Sequence, residues 1–206
     1  MKPLFIARQG RRPSGILGRV IARIMACETS AENDRALELL ALRADDRLIE
    51  LGCGHGATLA KAAHVITKGD LAGVDFSSVM IAEARRRNRR HVEAGRMSLH
   101  LGSSEDLPFT DEGFTAALSV HTIYFWQDPV AHLKEARRIL VPGGRLLLGF
   151  RPAEDRHFVA SYPGDVYTIR RTAEIVGLMK CCGFRHVFVR AAQFGNRQII
   201  FASGLA

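Results

Sequence analysis

Short runs of strand length alternate along the chain with segments whose apolar residues recur at helical spacing. The predicted strands are residues 47–51, 71–75, 97–101, 116–120 and 145–150. Helical spacing predicts helices over residues 57–66, 77–94, from Asp128 to about residue 142, and over 172–182. Such alternation is typical of a mainly parallel sheet with right-handed crossovers. We therefore predict an α/β fold, which residues 187–190 and 198–202 close as a hairpin.

The residues before the first strand predict two helices behind a basic tail. Residues 1–12 are expected to be flexible, and residues 14–25 carry an apolar stripe at helical spacing. Thr29, with Glu32 three places later, predicts a capping box for the second helix. We divide the chain into a basic arm with an amphipathic lid helix, residues 1–28, and an α/β domain, residues 29–206.

The positive charge is concentrated in this arm. The chain has 29 basic and 21 acidic residues, a formal net charge of +8. Residues 1–25 contain six basic residues and no acidic one, so the remainder is nearly neutral. A neutral body is not typical of a nucleic-acid binder. A basic amphipathic arm is compatible with weak contact to a membrane surface, and a lid over a ligand is the preferred alternative.

Cysteine and histidine usage gives no sign of a metal site. Cys27, Cys53, Cys181 and Cys182 form no Cys-x-x-Cys pair, and the eight histidines lack ligand spacing. No apolar run approaches the length of a membrane span, and residues 4–7 are too short for a signal-peptide core. A reduced, cytoplasmic protein without a metal is the expectation.

A glycine-rich turn between the first predicted strand and its helix is the most informative segment. It reads Ile49-Glu50-Leu51-Gly52-Cys53-Gly54-His55-Gly56. Glycines let the backbone turn sharply and approach a ligand, and the helix N-terminus offers unpaired N–H groups. Ligands of open parallel sheets bind at the carboxyl ends of the strands. The spacing also fits the looser dinucleotide pattern, so NAD is an alternative ligand.

Carboxylates at two strand ends help to distinguish NAD from other ligands. Glu50 precedes the first glycine, where it can receive an ammonium group but would repel a pyrophosphate. Asp75 ends the next strand, where its two oxygens can accept both hydroxyls of a ribose, a feature that suits either ligand. Glu50 therefore favours a ligand with an amino-acid part over NAD.

Four stretches, in this order, resemble class I S-adenosylmethionine-dependent methyltransferases of the methyltransferase domain 11 type, related to the ubiquinone/menaquinone-biosynthesis enzymes. They are IELGCGHG at 49–56, GVDFS at 73–77, GSSEDLPF at 102–109 and RRILVPGGRLLL at 137–148. The resemblance implies a Rossmann-like, seven-stranded, mainly parallel sheet with an antiparallel last strand and helices on both faces. It also implies S-adenosylmethionine as cofactor and a small-molecule acceptor methylated on oxygen, nitrogen or carbon.

The resemblance further implies roles for individual residues. Glu50 and the glycines would hold the methionine part, Asp75 the ribose, and Phe76 would lie against adenine. The family often has an acid that contacts the adenine amino group where this chain has Ser103, so that contact is expected from its neighbours. The predicted cofactor residues are Glu50, Gly52, Cys53, Gly54, Asp75, Phe76, Ser103, Ser104, Glu105 and Ser119.

Two residues after the fourth predicted strand are the candidate catalytic residues. His121 would lie at the edge of the sheet near the sulfonium, where an imidazole could take a proton from the acceptor. Methyl transfer to a good nucleophile depends more on alignment than on a base, so a role in lining the pocket is preferred. The alternatives for Tyr124, Phe125 and Trp126 are an aromatic wall near the methyl group and a place in the core, and the core is preferred for Phe125.

Other functions stay open at this point. A phospholipid or other membrane-associated acceptor would suit the basic arm. A NAD-dependent oxidoreductase is disfavoured by Glu50, and a non-catalytic module that binds S-adenosylmethionine is compatible with the change at Ser103.

Overall fold

A seven-stranded sheet forms the centre of the molecule. The computed structural model describes residues 2–15, Gly18, Ile24 and residues 28–206. The strand order is β3-β2-β1-β4-β5-β7-β6, and β7 runs antiparallel to both of its neighbours. This arrangement confirms the predicted α/β fold, the antiparallel last strand and the closing hairpin. The strands are β1 (Leu48–Leu51), β2 (Leu71–Asp75), β3 (Met97–Leu101), β4 (Phe114–Val120), β5 (Leu140–Phe150), β6 (Arg185–Phe194) and β7 (Arg197–Leu205).

Helices cover both faces of the sheet. They are α1 (Leu4–Arg11), α2 (Ser30–Leu40), α3 (Ala57–Val65), α4 (Ser78–Arg87), α5 (Arg89–Glu93), α6 (Pro129–Ile139), α7 (Arg156–Ser161) and α8 (Thr172–Cys181). The predicted helix 77–94 is divided at Asn88, whose side-chain amide donates to the carbonyls of Gly56 and Ala84, each at 3.0 Å. Helix α6 begins after the Asp128 cap as predicted, but it ends at Ile139 because β5 already pairs with β4 from Leu140.

Two expectations for the N-terminal part are wrong. Residues 4–11 form α1 rather than a flexible tail, because Ala7 is buried in the core and the backbone N–H of Lys2 donates to the carbonyl of Ser161 at 2.7 Å. The capping box is absent, since Thr29 makes no side-chain cap hydrogen bond and Glu32 is turned inward to His121. Most of the predicted helix 14–25 lies outside the described residues.

Side chains point alternately to the two faces of the sheet, which divides the core into two layers. Adjacent residues of β1 point to opposite faces, so Leu48 packs with α2, α3 and α4, while Ile49 packs on the side of α6 and α8. Both residues are fully buried. The helices of the described part of the chain include none that is long and apolar enough to cross a membrane.

A buried aspartate joins three strands at the edge of the sheet opposite to their carboxyl ends. Asp46 accepts from the Thr115 hydroxyl at 2.6 Å and from Arg145 Nη2 at 2.5 Å, while the backbone N–H of Arg47 donates to Thr115 Oγ1 at 2.9 Å. Burial alone would raise the pKa of Asp46, but these bonds and the N–H of Arg43 hold it below its ordinary value. β1, β4 and β5 are thereby aligned, so their carboxyl ends meet at one edge.

Candidate functional site

A cavity of about 410 Å³ opens at the carboxyl ends of β1, β2 and β4. The order of the strands reverses between β1 and β4, which is where open α/β sheets bind ligands. The structure brings together in this cavity every residue of the predicted site except Ser119 and Tyr124. The predicted residues that line it are Glu50, Gly52, Cys53, Gly54, Asp75, Phe76, Ser103, Ser104, Glu105 and His121.

The glycine-rich turn after β1 forms the floor of the cavity. The backbone N–H groups of Gly52 and Cys53 both donate to the carbonyl of Val74, at 2.8 and 3.0 Å, and hold the turn against β2. Gly52 has φ 79°, and a Cβ there would lie 2.2 Å from Thr122 Cγ2. Gly54 has φ 52° and open space where a Cβ would be. The turn thus needs glycine for its conformation and leaves room beside its backbone for a ligand.

Asp75 connects this turn to the next helix. Its Oδ2 accepts from the N–H of Gly54 and its Oδ1 from the N–H of Ser77, each at 2.9 Å. Burial raises the pKa of Asp75, and the two backbone bonds oppose the rise. Each carboxylate oxygen keeps capacity for a further hydrogen bond, so the group can still accept from the hydroxyls of a ligand.

Glu50 carries a carboxyl group that the surrounding protein does not satisfy. The residue is 4% exposed, and its Oε2 has no hydrogen-bond partner among the described residues. Burial raises the pKa of Glu50 to about 8; the hydrogen bond with Thr58 opposes this and the charge of Asp75 adds to it. An unsatisfied buried polar group costs about 1–3 kcal/mol. The amino-acid end of S-adenosylmethionine fits this position, because its ammonium group would satisfy the orphaned oxygen.

A second cluster of polar and aromatic side chains lies at the turn after β3. The N–H of Gly102 donates to the carbonyl of Asp75 at 3.1 Å, which places this turn beside the end of β2. Ser104 Oγ lies 2.7 Å from His132 Nδ1, and the imidazole is stacked on Trp126 with ring centroids 4.7 Å apart. His132 lines the cavity but was missed from the sequence, because a lone histidine on the buried face of α6 gives no pattern.

His121 lies at the cavity wall in a strained conformation. Its φ is 60°, in the left-handed region that side chains rarely adopt, and its N–H donates to the carbonyl of Gly149 at 2.8 Å. Nε2 contacts the carboxylate of Glu32, and Nδ1 lies 3.2 Å from the hydroxyl of Tyr124. Arg197 Nη2 lies 3.0 Å from the other oxygen of Glu32. Both imidazole nitrogens therefore have protein partners.

Ser119 and Tyr124 lie behind the cavity wall. Ser119 is 2% exposed and donates to the carbonyl of Leu51 at 3.0 Å. Tyr124 is equally buried, and its hydroxyl accepts from the N–H of Arg151. Burial also holds the pKa of Tyr124 well above its ordinary value. The 3₁₀ turn Ile123–Phe125 instead directs Phe125 and Trp126 to the cavity, which corrects the wall predicted at Tyr124. Phe125 also packs against the core, as predicted.

The N-terminal arm contributes to the opposite wall. Gly10, Arg11 and Pro13 line the cavity. The Ser77 hydroxyl donates to the carbonyl of Pro13 at 2.7 Å, and the Lys2 ammonium donates to the hydroxyl of Tyr162 at 2.8 Å. The arm is thereby fastened at α7 and again at the start of α4.

Comparison with known proteins agrees with this geometry. The family described as methyltransferase domain matches residues 49–148. The 27-O-demethylrifamycin SV methyltransferase of Amycolatopsis mediterranei is 30% identical over 123 residues, which are 59% of this chain and 44% of that protein. The fatty-acid O-methyltransferase of Mycolicibacterium smegmatis is 36% identical over 101 residues, 49% of this chain and 35% of that protein. The chain thus spans less than half the length of these two curated relatives.

A solved structure extends the likeness over most of the chain. The S-adenosylmethionine-dependent methyltransferase of Thermotoga maritima has a TM-score of 0.66 and 27% identity, and the match covers 84% of this chain and 86% of that one. The match to the family, the relatives and the shared sheet agree with the cavity at the strand ends. Residues 49–148 belong to this methyltransferase domain family, and the chain as a whole is similar to class I S-adenosylmethionine-dependent methyltransferases.

Proposed function

We propose that this protein transfers a methyl group from S-adenosylmethionine to a nucleophilic atom of a small-molecule acceptor. The observation that carries the proposal is the buried, unpartnered oxygen of Glu50 at the wall of the cavity, beside a glycine turn with open space at Gly54. S-adenosylmethionine has an ammonium group for the carboxylate and a methionine backbone that fits against a glycine turn.

The remaining cofactor contacts follow from the order of the lining residues. Asp75 would accept from the ribose hydroxyls, and Phe76 would lie against the adenine. Bound S-adenosylmethionine supplies a positively charged sulfonium that makes its methyl carbon electrophilic. The protein's part is to hold the cofactor, exclude water and align the acceptor, which is how positioning accelerates a transfer between two bound molecules.

The acceptor would lie beside the segment after β4. His121, Phe125 and Trp126 line that wall. The similar proteins include enzymes named for methylation of oxygen, of carbon and, as a possible activity, of nitrogen, so the acceptor atom is an oxygen, nitrogen or carbon nucleophile. Because both nitrogens of His121 already have protein partners, alignment rather than proton removal is its expected contribution.

The arm, residues 1–28, would act as a lid over the α/β domain, residues 29–206. This proposal is supported by the contacts of Pro13 with Ser77 and of Lys2 with Tyr162. Contact with an anionic membrane is the second candidate role, because Leu4, Phe5 and Ile6 are 46%, 54% and 40% exposed on the basic helix α1. The lid is favoured because the arm supplies part of the cavity wall itself.

Replacement of Asp75 tests the cofactor assignment. Asp75→Ala should weaken binding of S-adenosylmethionine at least about tenfold in calorimetry, since hydrogen bonds to a charged acceptor are worth about 1.5–3 kcal/mol each. Asp70→Ala is the matched control, because Asp70 is exposed just before the other end of β2. A folded Asp75→Ala protein that binds as tightly as the wild type would show that the ribose site is elsewhere. Tighter binding of NAD than of S-adenosylmethionine would refute the proposed function.

Removal of the arm distinguishes a lid from a membrane anchor. Deletion of residues 1–26 should leave a folded sheet, which begins at Leu48, and should raise the Kd for S-adenosylmethionine. The wild type should show no more than weak binding to anionic phosphatidylglycerol vesicles, removed by high salt because simple surface attraction is screened.

Point variants make the vesicle experiment specific. Phe5→Ser and Phe188→Ser are a matched pair, since both side chains are 54% exposed, on α1 and on β6. If the wild type sediments with vesicles at high salt, and Phe5→Ser but not Phe188→Ser abolishes this, the membrane role is established. An unchanged cofactor affinity after deletion of residues 1–26 would contradict the lid.

His121→Asn tests whether a base is used. Asparagine tolerates the left-handed conformation better than most residues and keeps a hydrogen bond, so we expect a loss of rate under about tenfold and a pH–rate profile of unchanged shape. The acceptor for this assay comes from a methyl-transfer screen over hydroxyl, carboxyl, amine and carbon nucleophiles. General-base catalysis is worth about 10²–10⁴-fold, so a loss above a hundredfold with intact cofactor affinity would make His121 catalytic.

A further inference from the structure

We propose that Arg170 is a positioning residue that sets the shape of the wall beside the acceptor, and so determines which ring-bearing acceptors fit. This acceptor wall consists of His121, Phe125 and Trp126, which all line the cavity. The inference rests on the proposed function, because it requires an acceptor at this end of the cavity. Arg170 does not line the cavity itself, and it acts through the backbone of the 3₁₀ turn Ile123–Phe125.

The turn that carries this wall has little hydrogen bonding of its own. The N–H of Phe125 donates to the carbonyl of Thr122 at 2.9 Å, and the N–H of Trp126 donates to that of Ile123 at a long 3.4 Å. The last carbonyls of a helical turn have no partner within it. Ile123, Tyr124 and Trp126 are all buried, and buried carbonyl groups need hydrogen-bond partners. The conformation of the turn therefore depends on donors from elsewhere in the chain.

The segment just before α8 supplies these donors. The N–H of Thr168 donates to the carbonyl of Tyr124 at 2.9 Å. Arg170 Nη1 donates to the carbonyl of Ile123 at 3.2 Å, and Nη2 donates to that of Trp126 at 3.3 Å. A guanidinium group presents its N–H groups in a rigid, planar fork, so one side chain can hold both ends of the turn.

Arg170 is itself held from two sides. Its side chain is 10% exposed, and its Nε lies 3.2 Å from a carboxylate oxygen of Glu174 in the first turn of α8. Its carbonyl accepts from the N–H of Ala153, just after β5, at 2.9 Å. None of residues 151–171 lines the cavity, so this segment between β5 and α8 influences an acceptor through the turn.

The whole acceptor wall depends on the position of the turn. Phe125 lies in the turn and Trp126 directly follows it, while the hydroxyl of Tyr124 lies 3.2 Å from Nδ1 of His121. Aromatic side chains pack well against a flat ring, which is why the proposal concerns ring-bearing acceptors. Without Arg170, two carbonyls lose their donor and the turn is free to shift. A displacement of about 1 Å can cost about 10²-fold in a transfer that depends on alignment.

The fluorescence of Trp126 measures the state of the wall directly, because the chain contains one tryptophan. Arg170→Met keeps the length of the side chain but removes its donors, so acrylamide should quench Trp126 more strongly than in the wild type. Arg170→Lys keeps the charge and one donor group, and it should give an intermediate value. Arg171→Met is the matched control and should match the wild type, because this neighbouring arginine is exposed.

Three pairs of acceptors test the effect on specificity. They are phenol with 2-naphthol, benzoate with 2-naphthoate, and benzylamine with 2-naphthylmethylamine, and the members of each pair differ by one fused ring. In each pair that is methylated, Arg170→Met should raise the ratio of kcat/KM for the naphthyl over the phenyl compound about tenfold, because a wall that yields admits the wider ring. The Kd for S-adenosylhomocysteine in calorimetry should stay at the wild-type value, since Arg170 is bonded to the turn and not to the predicted cofactor residues.

The outcomes separate a positioning role from a structural one. A residue that only stabilises the fold would lower the midpoint of thermal unfolding but leave the quenching of Trp126 and the acceptor ratio unchanged, and that result would overturn the inference. Equal effects of Arg170→Met and Arg171→Met would also overturn it. A wild type that binds S-adenosylhomocysteine but methylates none of the pairs would overturn the inference and leave the cofactor assignment in place, whereas one that does not bind it would overturn both. If Arg170→Met does not fold, Arg170→Lys decides by the same measurements.

Discussion

The carboxyl group of Glu50, buried at the end of the central strand with one unsatisfied oxygen, is the constraint on which the site depends. Its burial disfavours the charged form, and the nearby Asp75 carboxylate adds to the effect. The free protein tolerates this because β1 lies between two apolar layers, to which Leu48, Ile49 and Leu51 contribute. A stabilised core with a destabilised site is the usual relation between stability and function.

The groups around the cavity are coupled through short hydrogen-bond chains. Asp75 holds both the glycine turn, through Gly54, and the start of α4, through Ser77. The Ser77 hydroxyl also donates to Pro13, so the predicted ribose residue and the arm share a partner. Opposite them, Glu32 of α2 connects His121 to Arg197 of β7. Residues on different walls of the cavity are therefore linked by direct contacts.

Local patterns predicted the sheet, and ten of the twelve residues predicted for the site line the cavity. Strands that alternate with helices must be mainly parallel, and parallel strands end at the same edge, which brings Glu50 and Asp75 together. Contacts between distant segments have no local pattern in the sequence from which they could be predicted. Its spacing from Thr29 predicts Glu32 as part of a local cap, but Glu32 pairs with a residue 89 positions away, and His132 lies 28 positions from Ser104. Tyr124 is predicted at the cavity wall, but the 3₁₀ turn Ile123–Phe125 directs Phe125 and Trp126 there instead.

In the proposed function, Glu50 receives the ammonium group of S-adenosylmethionine. With a pKa of about 8, Glu50 is mostly protonated at pH 7 in the free protein. An ammonium group beside it favours the charged form and lowers that pKa, so binding must release a proton. Calorimetry of S-adenosylhomocysteine binding at pH 7, in buffers of different ionisation enthalpy, should show release of about one proton by the wild type, and much weaker binding without release by Glu50→Gln. Tight binding with no proton release, unchanged in Glu50→Gln, would contradict the account.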